Sequence, residues 1–307
     1  MQSHTLTINE SELAWYERGH AKSPFTLLML HATGFHSQCW RQVIAALPDD
    51  QYVICVDLPG HGASSKAFQG AWDIICSEVG QFIEALDLGG LIGVGHSLGG
   101  YTTFSLTASM PERFRGSILI DPVILDPLRY QSPMAYGSDP AVHPTARRRN
   151  HWRDWQEMFE HFESRHPFSL WDRRVLRDYC EYGLVKRRDA SGYELACPPV
   201  VEAGIYINSA TRDPLHLFPQ VTVPTWVVRG VERDFEAVVK SGRLDFSASP
   251  TWPELAARLP NGKDFYWPEL SHFIPMQAPE RVAALIEAFL DEVAADSPAT
   301  TLTGASF

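Results

Sequence analysis

The spacing of apolar positions changes period several times along the chain, and each change marks an element. Residues 5–8 and 13–17 alternate and predict a short leading hairpin. The run Phe25-Thr26-Leu27-Leu28-Met29-Leu30 lacks polar alternation, which suits a strand buried on both faces. Over 38–47 the apolar residues Trp40, Val43, Ile44 and Leu47 fall at helical spacing, and Pro48 stops the pattern. Tyr52-Val53-Ile54-Cys55-Val56 is the next buried strand. Between 74 and 88, Ile75, Val79, Phe82, Ile83 and Leu86 occupy one helical face. A strand at 91–94, a helix over 98–109 and a strand at 117–120 complete this run. Strands alternating with helices predict a parallel sheet joined by right-handed crossovers.

The alternation breaks at residue 122. From 122 to 219 no strong strand pattern is present. Aromatic residues at helical spacing (Trp152, Trp155, Phe159, Phe162) and a basic cluster (Arg147, Arg148, Arg149, Arg153) predict a helical insertion of about a hundred residues. The aromatic stripe reads mainly as packing, and the arginine run as a solvated face. The strand–helix pattern resumes with a strand at 225–229, a helix near 252–259, a strand at 264–267 and an amphipathic helix over 279–294. The tail 297–307, rich in Ser, Thr and Ala, predicts disorder. The expected division is a core of 1–121 with 220–296, a cap of 122–219 and that tail.

Composition narrows the function classes. In 307 residues, 45% are hydrophobic and 21% charged, ordinary values for a globular chain. A formal net charge of −11 argues against a nucleic-acid partner and against docking on an anionic membrane. Five cysteines with no C-x-x-C pair fit reduced thiols better than a disulfide framework. The first residues lack the pattern of a signal peptide, and no apolar run has the length of a membrane span. The expectation is a cytoplasmic protein acting on a small molecule, without metal or cofactor. Oligomeric state is not legible.

The densest chemistry lies at the end of the strand Gly90-Leu91-Ile92-Gly93-Val94, which runs into Gly95-His96-Ser97-Leu98-Gly99. A serine projected from a strand-to-helix turn presents its hydroxyl as a nucleophile. Glycines two positions either side remove the side chains that would collide there. The glycine pattern does not fit a dinucleotide fingerprint, whose third glycine would fall at Leu98. An activated serine needs a base, an orienting acid and oxyanion donors. His272, in Leu270-Ser271-His272-Phe273, follows the last strand and stands out among twelve histidines as the base. Asp234, four residues past Gly230, is the preferred acid. Asp121, directly after the strand that follows the serine's helix, and Glu232 remain alternatives; Asp121 also reads as a turn cap before Pro122. Backbone N–H groups of Leu98 and Thr33 are the expected oxyanion donors, with His31 tying down the 31–35 loop.

Four stretches together resemble the α/β-hydrolase superfamily, in its lidded, epoxide-hydrolase-like branch: His31-Ala32-Thr33-Gly34-Phe35, Asp57-Leu58-Pro59-Gly60-His61-Gly62-Ala63-Ser64, Gly95-His96-Ser97-Leu98-Gly99-Gly100 and Leu270-Ser271-His272-Phe273. The resemblance implies the α/β-hydrolase fold: a mostly parallel eight-stranded sheet with helices on both faces, a helical cap insertion, and an active site between cap and core. It also implies the chain order serine, acid, histidine. Two departures stand out, Ala32 in place of the usual glycine and a long segment over 235–250. Ser97 occupies the position where epoxide hydrolases and haloalkane dehalogenases of this fold carry aspartate. The implied activity is hydrolysis of a carboxylic ester or lactone through an acyl-enzyme. The alternatives are carbon–carbon bond cleavage of a diketone with the same triad, amide cleavage, or a non-turnover small-molecule receptor. Met134, Tyr136 and some cap aromatics are expected to wall the pocket.

Overall fold

The computed structural model describes residues 1–19, 23–67, 70–131, 139–209, 213–233 and 247–296. The chain opens with β1 (Gln2–Ile8) and β2 (Ser11–Arg18), followed by β3 (Thr26–Leu30), α1 (Arg41–Ala46) and β4 (Tyr52–Val56). Next come α2 (Trp72–Ala85), β5 (Leu91–His96), α3 (Leu98–Ser109) and β6 (Phe114–Ile120). The intervening segment holds α4 (Pro127–Gln131), β7 (His151–Trp152), α5 (Trp155–Phe162), α6 (Arg173–Tyr182), β8 (Leu184–Lys186), β9 (Tyr193–Leu195) and α7 (Pro199–Ile207). The chain then returns through β10 (Thr225–Arg229), β11 (Gly262–Tyr266), α8 (Ile274–Gln277) and α9 (Pro279–Asp296).

Eight strands form one sheet in the order β1-β2-β4-β3-β5-β6-β10-β11. The β1–β2 and β2–β4 pairs are antiparallel, and the remaining five are parallel. The unbroken apolar runs of the sequence now have a cause. In β3, Leu28 and Leu30 enter one core while Leu27 and Met29 enter another; in β4, Ile54 and Val56 separate from Val53 and Cys55 in the same way. The first core is closed by Ile75, Val79, Phe82 and Ile83 of α2 with Leu98, Phe104 and Leu106 of α3. Val43 and Ile44 of α1, with Val282, Ile286 and Phe289 of α9, close the second. Strand side chains alternate between faces, so a strand covered on both must be apolar at every position.

A third apolar cluster lies between the sheet core and the 122–219 segment. It joins Ala32, Phe35 and Met276 to Trp152, Met158, Trp171, Val175, Leu176 and Tyr179. The 122–219 segment holds helices, as expected, but is not helical throughout. β7, β9 and β8 form a small antiparallel sheet. With two or three residues each, these strands are too short to show an alternating pattern. The tail 297–307, Met134 and Tyr136 lie outside the described residues. Among the described residues, no helix is long and apolar enough to cross a membrane.

Candidate active site

Ser97 stands at the junction of β5 and α3 with φ +56° and ψ −114°. That is a costly conformation for a residue with a side chain, and the surrounding bonds hold it. The Ser97 N–H donates to the Ile120 carbonyl at 3.0 Å, and the Ser97 carbonyl accepts from Tyr101 at 3.0 Å and Val123 at 3.2 Å. The flanking glycines are sterically required. A methyl group at Gly95 would lie 2.2 Å from the Gly99 carbonyl oxygen, and one at Gly99 would lie 2.1 Å from that of Leu30. The first turn of α3 is therefore pressed against the end of β3, where the 31–35 loop begins.

The Ser97 hydroxyl donates to His272 Nε2 at 3.0 Å, and His272 donates its Nδ1–H to Asp121 Oδ2 at 2.5 Å. His272 is fixed through its backbone as well. Its N–H donates to the Ser247 carbonyl at 2.6 Å, and its own carbonyl accepts from His96 Nε2 at 2.8 Å. Asp121 is fully buried, at φ +46°, directly after β6. Its other oxygen, Oδ1, accepts from Ser249 Oγ at 2.5 Å, the Gly230 N–H at 3.2 Å and Thr251 Oγ1 at 3.3 Å. Four donors thus converge on one buried carboxylate. Serine, imidazole and carboxylate form one hydrogen-bonded line along which the serine proton can pass to an imidazole that the acid orients.

The structure brings Ser97 and His272 together, the pair expected from the sequence. Asp234, the preferred acid, lies outside the described residues; Asp121 occupies the direction in which the His272 Nδ1–H points. Glu232 faces elsewhere: it accepts from Arg229 Nη1 at 3.1 Å, while that guanidinium grips Asp264 with two bonds of 2.8 Å.

The 31–35 loop and the 57–64 turn are tied to each other by histidines. His31 accepts the Leu58 N–H at Nε2 (3.0 Å) and donates from Nδ1 to the Ala32 carbonyl at 2.8 Å. His61 accepts the Gly34 N–H at Nε2 (2.9 Å) and donates from Nδ1 to the Pro59 carbonyl at 3.0 Å. Burial lowers the pKa of His31 to about 4 and holds His61 well below the usual histidine range. Asp57 anchors the turn by accepting from Ser37 N–H at 2.7 Å and Ala63 N–H at 2.8 Å.

From the other side the loop meets the 122–219 segment. Phe35 makes edge contacts with Trp171 and Tyr179 at centroid distances of 5.4 and 5.5 Å, and Phe273, next to His272, lies 5.4 Å from Trp171. An aromatic cluster therefore packs beside His272, through Phe273 at a centroid distance of 5.6 Å. The arginine run does not behave as one solvated face. Arg147 is exposed and Arg149 stacks over Trp152 at 3.9 Å. Arg148 turns inward, donating to Glu202 and, at 3.0 Å, to the Tyr179 hydroxyl. Glu202 is buried against Gly34, where a methyl group would come within 2.7 Å of its carboxylate. From the sequence Arg148 reads only as part of a solvated basic cluster and Glu202 carries no signal, because their pairing across 54 positions has no local signature.

A model described as "Alpha/beta hydrolase family" matches residues 27–285. The chain is 33% identical over 117 residues to 3-oxoadipate enol-lactonase 2 of Acinetobacter baylyi, covering 38% of this chain and 43% of that one. It is 28% identical over 127 residues to monoacylglycerol lipase abhd6-A of Xenopus laevis, covering 40% of this chain and 37% of the relative. The matched stretches thus span well under half the length of these curated relatives. Among solved structures, E-2-(acetamidomethylene)succinate hydrolase superposes with a TM-score of 0.73 at 20% identity, over 94% of this chain and 99% of the other, a likeness of fold.

Proposed function

The chain belongs to the alpha/beta hydrolase family, and from that premise we propose that it is a serine hydrolase cleaving a carboxylic ester or lactone through an acyl-enzyme. The observation that carries this reading is the unbroken line Ser97–His272–Asp121, with a strained serine at its head. His272 Nε2 takes the Ser97 proton as Oγ attacks the carbonyl carbon. The Leu98 and Thr33 N–H groups stabilise the resulting oxyanion. The imidazolium then protonates the leaving oxygen, and the ester or lactone C–O bond breaks. Water, deprotonated by the same imidazole, attacks the acyl-enzyme and releases Ser97. Asp121 orients the ring throughout and stabilises its positive form. In this reading the 122–219 segment is the cap, and the cluster of Phe35, Trp171, Tyr179 and Phe273 gives the acyl pocket an apolar side. The names of the lactonase and lipase relatives support the ester and lactone class.

The test is turnover of a panel of activated esters and lactones by the wild type and Ser97→Ala, with alkyl fluorophosphonate labelling. Ser97 is expected to be the labelled serine, and Ser97→Ala to lose on the order of 10⁶-fold in kcat. Wild-type turnover by Ser97→Ala would overturn the assignment.

A further inference from the structure

Two histidines outside the Ser97–His272–Asp121 line are wired directly into the loop expected to hold the oxyanion. Each is fully buried, and each ring uses both nitrogens on backbone groups. A nitrogen that accepts an N–H has no hydrogen of its own, and one that faces a carbonyl must carry one. His31 and His61 are thereby fixed as neutral rings with the hydrogen on Nδ1. Their planes meet edge to face with centroids 4.9 Å apart.

The pattern has a consequence for the donors. The Gly34 N–H is committed to His61, and the Phe35 N–H to the Ala32 carbonyl at 3.2 Å. Of the three N–H groups from 33 to 35, that of Thr33 stays outside these bonds. We propose that His31 and His61 are positioning residues: as neutral acceptors they lock the 31–35 loop onto the 57–64 turn, so that the Thr33 N–H faces the substrate oxygen. The proposal rests on the serine-hydrolase reading of the site and extends it to the loop's support. Protonating either ring would place a second donor against the Gly34 or Leu58 N–H, at the 2.9–3.0 Å now spanned by a bond. The charged and titratable groups around the pair do not force that charge. Asp57 accepts from two backbone donors and favours charge on His31, but burial of the ring outweighs it, and Lys66 donates to the Gly62 and Ser64 carbonyls. Burial lowers the pKa values of His36 and His96 and raises that of the Cys197 thiol, and Glu202 is paired with Arg148 on the far side of Gly34.

Two measurements test the proposal. Imidazole nitrogen NMR of the ¹⁵N-histidine-labelled wild type at pH 7 is expected to show both rings neutral, with hydrogen on Nδ1 and bare Nε2. A ring protonated at Nε2 overturns the proposal whether or not any variant folds. For kinetics, His61→Leu removes the acceptor, whereas His61→Gln offers an amide oxygen near the same place. His61→Leu is expected to lower kcat by about 10- to 100-fold while KM moves less than about threefold, the signature of a misplaced donor. His61→Gln is expected to recover most of the loss. A wild-type kcat in His61→Leu, or a His61→Gln as impaired as His61→Leu, overturns the proposal. Fluorophosphonate labelling separates the two readings. Failure to label wild-type Ser97 overturns the hydrolase reading and the oxyanion role with it. Normal labelling with unchanged kcat in His61→Leu overturns the role of the histidines alone.

Discussion

Asp121 shows how much a single residue's function depends on partners far away in sequence. Its carboxylate is held by donors at residues 230, 249, 251 and 272, between 109 and 151 positions downstream. Its backbone sits at φ +46° so that the side chain turns from the end of β6 toward His272. If this acid orients the base, Asp121→Asn should lower kcat by roughly 10⁴-fold, because the amide holds the wrong imidazole tautomer. Asp234→Asn should change kcat by less than about tenfold, a loss too small for an orienting acid. Steady-state kinetics on one activated ester decides between them, and a large loss confined to Asp234→Asn would reverse the assignment. This is also where sequence reading reached its limit. Ser97 and His272 were legible because their roles are written in immediate neighbours: glycines at 95 and 99, and a strand end before 272. Asp121 and Asp234 both follow a strand, and local sequence does not reveal which carboxylate collects the donors. Thr251 and Ser249, which supply two of them, had no local signal at all.

At the scale of elements the legibility was greater, because burial on both faces leaves a continuous apolar run that survives without knowledge of the partner strands. The expected bounds of β3, β4 and β10 lie within a residue of the observed ends for that reason, and those of β5 within two. The strands of the small second sheet were invisible, being shorter than any period. The turn between β5 and α3 is the most constrained junction. Gly99 lies in the first turn of α3 against the Leu30 and His31 carbonyls, with no flexible side chain available to yield. Gly99→Ala should therefore push α3 away from β3, at a cost on the order of 3 kcal/mol in stability. Because the same displacement moves the Leu98 N–H, activity should fall as well. Chemical denaturation together with kcat measures both, and a Gly99→Ala protein of unchanged stability would contradict the close approach of helix and strand.

The whole molecule carries an unusual load of buried neutral imidazoles around one site. Burial is the main cause that lowers the pKa of His31 to about 4, lowers that of His36, and holds His61 and His96 well below the usual range near 6.5. In the unfolded chain these rings titrate near 6.5, so below that pH the unfolded state binds protons that the native state refuses. Stability is then present in full above about pH 6.5 and is lost as pH falls toward 4. Well below pH 6.5 each such ring contributes up to about 1.4 kcal/mol per pH unit. Buried Glu78 and Asp178, whose desolvation raises their pKa values, act in the opposite sense but from the carboxylate range upward. Asp172, drawn down mainly by its bonds with Arg174, adds to the acid loss only near and below pH 4. Between pH 6.5 and 5 the four histidines dominate. Urea denaturation at pH 7.5, 6.5 and 5.5 should give midpoints that are nearly equal for the first two and clearly lower at 5.5. A midpoint unchanged at pH 5.5 would mean that these rings accept protons in the native state, and the neutral-histidine framework beneath the 31–35 loop would have to be abandoned.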